Sequence, residues 1–252
     1  MNGFVDMSGQ VLARLRQLDD VAASGGLDEA VGLMAACLSG DGVLQAFGTG
    51  HSQAFAMEIA GRAGGFIPSH ALKLSDLVTF GRRSVPMLGT ADLERDAAVA
   101  DELYDLYDVR PADVFLIASN SGANGSTVGM ALRAKAEGHA VIAVTSLEHS
   151  RGVVSKHPSG KKLFEVADVV IDNLAPYGDA TLETGGVKVG AVSSITAAYI
   201  AQLLTVGTTQ RILADGGVPP IYLSANIPGG DEANDQVKQR LGARINPYLG
   251  SV

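Results

Sequence analysis

The chain has 252 residues, 46% of them hydrophobic, with 31 glycines, 5% aromatics and no Trp; this mix suits Ala/Gly/Val-rich α/β packing better than a β-sandwich. A formal net charge of −8 argues against a nucleic-acid or anionic-membrane partner, but not against a small anionic ligand, because clustered N–H donors outweigh a global charge locally. The single cysteine excludes an internal disulfide, and no apolar run approaches the ~20 residues that span a bilayer.

The length fits one domain over residues 1–252, with a helical extension over about 1–40 and a C-terminal tail over about 211–252. Met1–Gln10 lacks the basic start and apolar stretch of a signal peptide, so a cytoplasmic protein is expected. Val11–Val21 and Leu27–Leu38 each carry one apolar helical face, and Cys37 reads as a small core residue of the second. A short strand, Val43–Phe47, then runs into Gly48-Thr49-Gly50, and a helix is expected over about His51–Ala63, closed by Gly64-Gly65. Phe66–Leu72 reads as a strand, Ser75–Thr90 as an irregular loop and Leu93–Tyr107 as a helix broken by Arg110-Pro111. Val114–Ala118 is a buried strand, Ser119–Gly125 a turn, Ser126–Glu137 a helix and Ala140–Val144 the next strand. A polar loop over 146–162, a strand Val169–Ile171, a long apolar helix Val189–Val206, a Gly/Pro-rich stretch 215–230 and a helix Glu232–Leu241 complete the chain. Repeated strand–turn–helix units of this kind imply parallel strands joined by right-handed crossovers.

Ligands of such a sheet sit at the carboxyl ends of the strands. Two strand ends here are built alike: Phe47-Gly48-Thr49-Gly50-His51-Ser52, and Ala118 followed by Ser119-Asn120-Ser121-Gly122-Ala123-Asn124-Gly125-Ser126-Thr127. Glycines let the backbone approach a ligand at positive φ, the following helix presents unpaired N–H groups, and Ser and Thr add neutral donors. Together they make an anion site that needs no Lys and suits a phosphate monoester with sugar hydroxyls. The bland alternative is Gly and Ser present for turn and capping reasons alone. The first turn is neither a dinucleotide fingerprint, lacking the third Gly, nor a Walker A loop, lacking Gly-Lys-Ser/Thr.

The Gly48–Ser52 turn, the Ser119-Asn120-Ser121-Gly122 turn and the stretch Gly185–Ala198 resemble the sugar isomerase (SIS) domain family over about residues 40–210. The whole chain is similar to one branch of bacterial SIS proteins, through Thr145-Ser146-Leu147-Glu148-His149-Ser150, Ser159-Gly160-Lys161-Lys162-Leu163 and Asn226-Ile227-Pro228-Gly229-Gly230. The resemblance implies a three-layer α-β-α sandwich on a five-stranded parallel, flavodoxin-like sheet, a phosphorylated sugar as ligand, and a homodimer or homotetramer with sites shared between subunits. Expected substrate contacts are Gly50, His51 and Ser52 from the first turn and Ser119, Asn120, Ser121, Asn124 and Thr127 from the second.

Aldose–ketose isomerisation moves a proton between C1 and C2 and needs a base. Glu58 is the first candidate, on the helical stripe His51, Glu58, Arg62; the alternative is an i, i+4 ion pair with Arg62. Glu183, before Gly185-Gly186 and the apolar helix, is the second, and His149 or His157, on the loop after a strand, a proton shuttle; a solvated side chain is the alternative for each. His70 and His139 read as structural, and Arg82-Arg83 and Lys161-Lys162 as surface pairs. Phosphoheptose isomerases carry a metal-ligand His near position 58 and an acid near position 62; Glu58 and Arg62 depart from both, and with no HExxH or Cys/His cluster neither a metal nor another cofactor is expected. The leading expectation is a phosphosugar isomerase. The alternatives are a lyase or etherase of the N-acetylmuramate-6-phosphate type, with Glu58 and Glu183 as its carboxylates, and a non-catalytic phosphosugar sensor.

Overall fold

The structure is a computed structural model that describes residues 3–224 and 226–245. The start of the expected N-terminal segment, residues 1–2, and the end of the expected tail, residues 246–252, lie outside the described residues. Helices α1 (Gly3–Ala23) and α2 (Asp28–Ser39) lead into β1 (Leu44–Gly48), a 3₁₀ turn over Gly50–Ser52, α3 (Gln53–Ile59) and β2 (Ser69–Leu72). Three short helices follow: α4 (Asp76–Thr79), α5 (Asp92–Arg95) and α6 (Val99–Tyr104). Then come β3 (Val114–Ala118), α7 (Gly125–Ala136), β4 (Ala140–Thr145), α8 (Leu147–Gly152) and β5 (Val169–Asp172). A hairpin of β6 (Ala180–Thr184) and β7 (Val187–Ala191), the long α9 (Ser193–Ala214) and α10 (Gly230–Leu241) complete the described chain.

The main sheet is five-stranded and parallel, in the order β2-β1-β3-β4-β5. Its residues alternate between two cores, as a pleated strand requires. Leu44, Ala46, Leu116, Ile142 and Val144 face a core with α2, α3 and α9; Phe47, Phe115, Ile117, Val141 and Ala143 face another with α6 and α7. The three-layer sandwich expected from the sequence is therefore present. The order also fixes where the chain reverses. From β1 the crossover through α3 goes to the β2 edge, and from β3 the crossover through α7 goes the other way, to β4. Right-handed crossovers in opposite directions put their helices on opposite faces. A crevice opens between the carboxyl ends of the paired neighbours β1 and β3, at the topological switch point.

Several boundaries differ from the sequence expectation, each for a local reason. The helix expected over His51–Ala63 ends at Ile59, because Ala60 turns extended to bridge Phe66, and Gly61 and Gly64 take φ of +74° and +82°. Only Ser69–Leu72 of the expected strand Phe66–Leu72 pairs with β1; Phe66 bridges Ala60 and Ile221 instead. The helix expected over Leu93–Tyr107 breaks at Asp96, which is extended and accepts the Ala98 N–H on Oδ1 at 2.9 Å to start α6. The loops expected over Ser75–Thr90 and 146–162 contain α4 and α8, and α8 is capped by Ser146 Oγ accepting the His149 N–H at 3.0 Å. The helix expected over Val189–Val206 starts later, at Ser193, and runs to Ala214; the residues before it form the β6–β7 hairpin. Gly185 and Gly186, at φ of +59° and +78°, make its two-residue turn.

Candidate functional site

In the first turn, a side chain at Gly48 would meet Ser52 O at 2.3 Å, so glycine alone lets the chain fold back on itself there. Gly50 has φ of +55°, and its missing methyl would stand 3.1 Å from Glu94 Oε1. In the second turn, Ser119 Oγ accepts the Gly122 N–H at 3.1 Å and Ser121 Oγ accepts the Ala123 N–H at 3.4 Å. A hydroxyl that accepts from its own turn keeps its hydrogen to donate to a ligand. Asn120 Oδ1 accepts from Asn173 Nδ2 at 3.2 Å, which ties the second turn to the end of β5.

A narrow cleft at the strand ends draws these parts together. His51, Ser52, Ser119 and Asn120 line it from the two turns, and Asn173, Ser193 and Ser194 line it from the other side. Ser193 and Ser194 begin the 22-residue α9, whose positive dipole end therefore faces the cleft. Asp179 holds that end: Oδ1 accepts the Val192 and Ser193 N–H groups at 3.1 and 2.8 Å, and Oδ2 accepts the Ser193 hydroxyl at 2.7 Å. The lining includes neither Lys nor Arg among the described residues, so any anion held there relies on N–H and O–H donors.

The SIS domain family matches residues 8–146, which run from within α1 through β4 and include both turns. The chain belongs to the SIS domain family. A UPF0309 protein of Listeria monocytogenes is 38% identical to it over 221 residues, 87% of this chain and 89% of the relative. One of Brucella canis is 34% identical over 241 residues, 95% of this chain and 96% of the relative. Among solved structures, phosphoheptose isomerase from Neisseria gonorrhoeae superposes with a TM-score of 0.52 at 19% identity, covering 84% of this chain and 97% of that one. The phosphoheptose isomerase from Francisella tularensis gives 0.52 at 17%, covering 83% and 100%. At these identities the likeness is one of fold.

The SIS protein's expected substrate contacts divide by position. Gly50, His51, Ser52, Ser119, Asn120 and Ser121 stand at the two turns around the crevice. Asn124 is at the outer end of the second turn, donating from Nδ2 to Glu94 Oε2 and accepting from Lys156 Nζ on Oδ1, both at 3.2 Å. Thr127 is fully buried in the first turn of α7, outside the cleft lining, and its hydroxyl has no partner.

The expected acids and bases stand elsewhere. Glu58 pairs with Arg62 and accepts from Gln202 Nε2 at 2.8 Å, on the side of α3 that meets α9, outside the cleft lining. The ion-pair alternative is the geometry present. Glu183 does not lead into α9; it lies on the exposed strand β6 facing the start of α1, because the hairpin carries it away from the strand ends. His149 accepts the Gly178 N–H on Nδ1 at 3.2 Å and stacks edge-on against Tyr177, also outside the lining. His157 bonds Ser159 Oγ at 2.8 Å, and burial lowers its pKa. His139 is structural, bonded to Tyr104 Oη at 2.9 Å and to the Asp113 carbonyl at 3.1 Å. Arg83 is an ion-pair residue, bonded to Glu102 and Asp96. Among the described residues no group of three or more His, Cys, Asp or Glu is arranged to hold a metal ion, and no single helix is long and apolar enough to cross a membrane.

Three residues that line the cleft, and one that bonds its second turn, escape the sequence reading. Asn173 follows β5 directly, so the rule that ligands sit at strand ends applied to it equally. Ser193 and Ser194 were hidden by starting the helix too early, although Gly185-Gly186 between alternating residues is a hairpin signal. Glu94 gave no local signal, since it sits in an acidic run that reads as a solvated helix face.

Proposed function

We propose that this crevice holds a phosphorylated sugar and isomerises it between aldose and ketose forms. The observation that carries the reading is the pair of Gly/Ser turns flanking the switch point between β1 and β3, with the Ser119 and Ser121 hydroxyls accepting from their own turn and the start of α9 opposite. Ser52, Ser119 and Asn120, with Ser194 at the start of α9, hold the phosphoryl group by neutral donors and the helix end. The structural neighbours support the same reading, as both are phosphoheptose isomerases by name. Glu58 and Glu183, the carboxylates that the sequence offers for an isomerase and for a lyase of the etherase kind alike, both stand outside the cleft lining and do not separate the two reactions. Proton transfer between adjacent carbons needs a base and a carbonyl-polarising donor and no redox group. In this reading the protein works in the cytoplasm as a homodimer or homotetramer, and the exposed Phe4, Val5 and Leu12 of α1 support a subunit contact.

The test is a thermal-shift series of aldose and ketose phosphates, followed by NMR of any stabilising sugar in heavy water. A ligand at 100 times its Kd adds about 2.7 kcal/mol of stability, so a bound phosphosugar raises Tm visibly. Deuterium entering at C2 identifies the isomerase; stabilisation without deuterium leaves a binder. A panel that produces no shift overturns the reading of both turns.

A further inference from the structure

We infer that Glu94 is the general base of this site, an assignment that rests on the phosphosugar isomerase reading above. Glu94 is on α5, a four-residue helix that the sequence hides inside a longer one. Its carboxylate spans the two Gly/Ser turns. Oε1 lies 3.1 Å from where a Gly50 methyl would be, and Oε2 accepts from Asn124 Nδ2 at 3.2 Å. The crevice between β1 and β3 separates those turns, and Glu94, which is not among the residues lining the narrow cleft, bridges them.

Three features distinguish this carboxylate from the other candidates. First, it forms no ion pair among the described residues, whereas Glu58 is paired with Arg62. Second, its orientation is set. Lys156 Nζ occupies Asn124 Oδ1, so the amide turns its N–H toward Glu94, and Oε1 remains available on the Gly50 side. Third, its backbone is pinned. Ser126 Oγ donates to the Glu94 carbonyl at 2.8 Å, Leu93 is buried, and a methyl on Gly125 would meet Arg95 O at 2.1 Å. A base held by the turn it serves is pre-organised, yet Glu94 is half-exposed and open to substrate.

The proposed step balances as follows. With an aldose phosphate in the crevice, Glu94 Oε1 takes the proton from C2. The C2–H bond breaks, its electron pair forms the C1–C2 double bond, and the carbonyl π pair moves to O1, which takes a proton from the imidazole of His51. The carboxylic acid then returns its proton to C1 while the O2 proton passes to His51, and C2 becomes the ketone. No net proton is gained or lost.

The test uses the full chain and the phosphosugar that stabilises it most. Glu94→Gln keeps the thermal shift by that sugar and lowers deuterium exchange at C2 at least ~100-fold, the low end of what a positioned base contributes. Glu94→Asp, with the carboxylate drawn back one methylene, also binds and exchanges about tenfold or more slowly, which keeps the test open if the glutamine variant does not fold. Glu58→Gln exchanges within about threefold of wild type, as expected of a residue outside the chemistry. Exchange in Glu94→Gln within about threefold of wild type overturns the assignment and leaves the isomerase reading standing. So does loss of the sugar's thermal shift in both folded Glu94 variants, which makes Glu94 a binding group. Wild type that binds sugar and exchanges no proton overturns the base as well. Wild type that no phosphosugar stabilises overturns the isomerase reading itself.

Discussion

Single residues here are constrained by what stands next to them across the fold. Gly50 needs its positive φ and also leaves room for the Glu94 carboxylate; the first requirement is legible in a turn sequence, the second is not. The same contrast runs through the site. Ser52, Ser119 and Asn120 were readable because they lie in the turns that follow short apolar strands. Glu94 was not, because its contact with those turns depends on a short helix broken at Asp96 and on packing that no local pattern encodes. His70 carries a prediction at this scale. It lies buried on β2, edge-on to Tyr107 with ring centroids 4.6 Å apart, and its Nδ1 has no partner. Burial, with Lys73 adding to it, pushes its pKa down to about 4 from the ordinary value of 6.5. The folded protein thus holds His70 neutral while the unfolded chain takes up a proton below pH 6.5. The stability present above pH 6.5 is lost as pH falls toward 4, about 3 kcal/mol over the whole window. Urea unfolding at several pH values checks this: His70→Phe should flatten the slope between pH 6.5 and 4, and an unchanged slope would assign it to other groups.

Among the elements, the β6–β7 hairpin and α9 depend on each other at Asp179. This residue sits at φ of +70°, uncommon outside glycine, and closes the start of α9 with three hydrogen bonds. Asp179→Ala should cost about 1 kcal/mol, as loss of a helix cap does. It should also shrink the Tm rise produced by a bound phosphosugar, because the start of α9 that lines the cleft loses the carboxylate that fixes it. A variant that loses stability but keeps the full ligand shift would show that the start of α9 needs no such support. Element type was largely legible: both leading helices, the strands β1, β3, β4 and β5, α7 and α10 all lie where periodicity and glycines put them. The hairpin was not, although Ala180-Thr181-Leu182-Glu183 and Val187-Lys188-Val189 alternate about Gly185-Gly186, because Val189 and Ala191 also continue the apolar run of α9 and the longer helix absorbed them.

For the whole molecule, strand alternation was enough to imply a parallel sheet, but the order β2-β1-β3-β4-β5, and with it the switch point, depends on long-range pairing that no local pattern encodes. The amino ends of the strands are closed by residues from far along the chain. Asp113 is buried and accepts from the Val43 N–H at 2.9 Å, Gln45 Nε2 at 3.0 Å and Arg244 Nη2 at 2.6 Å. Arg244 also donates to the Asp41 carbonyl at 3.1 Å. Arg244→Met leaves a buried carboxylate without its cation and should cost about 3–5 kcal/mol. Adding Asp113→Asn should recover part of that loss in chemical denaturation; strict additivity of the two changes would deny the coupling. The 131 residues that separate Asp113 from Arg244 have a consequence for how the chain is made. A ribosome adds roughly 5–20 residues per second, so on the order of ten seconds pass between the emergence of the two partners. Ile221, whose bridge to Phe66 covers the approach to β2, emerges late in the same interval. Throughout it, the half of the sheet that carries both turns exists with its floor open, and that is when the nascent chain most needs a chaperone.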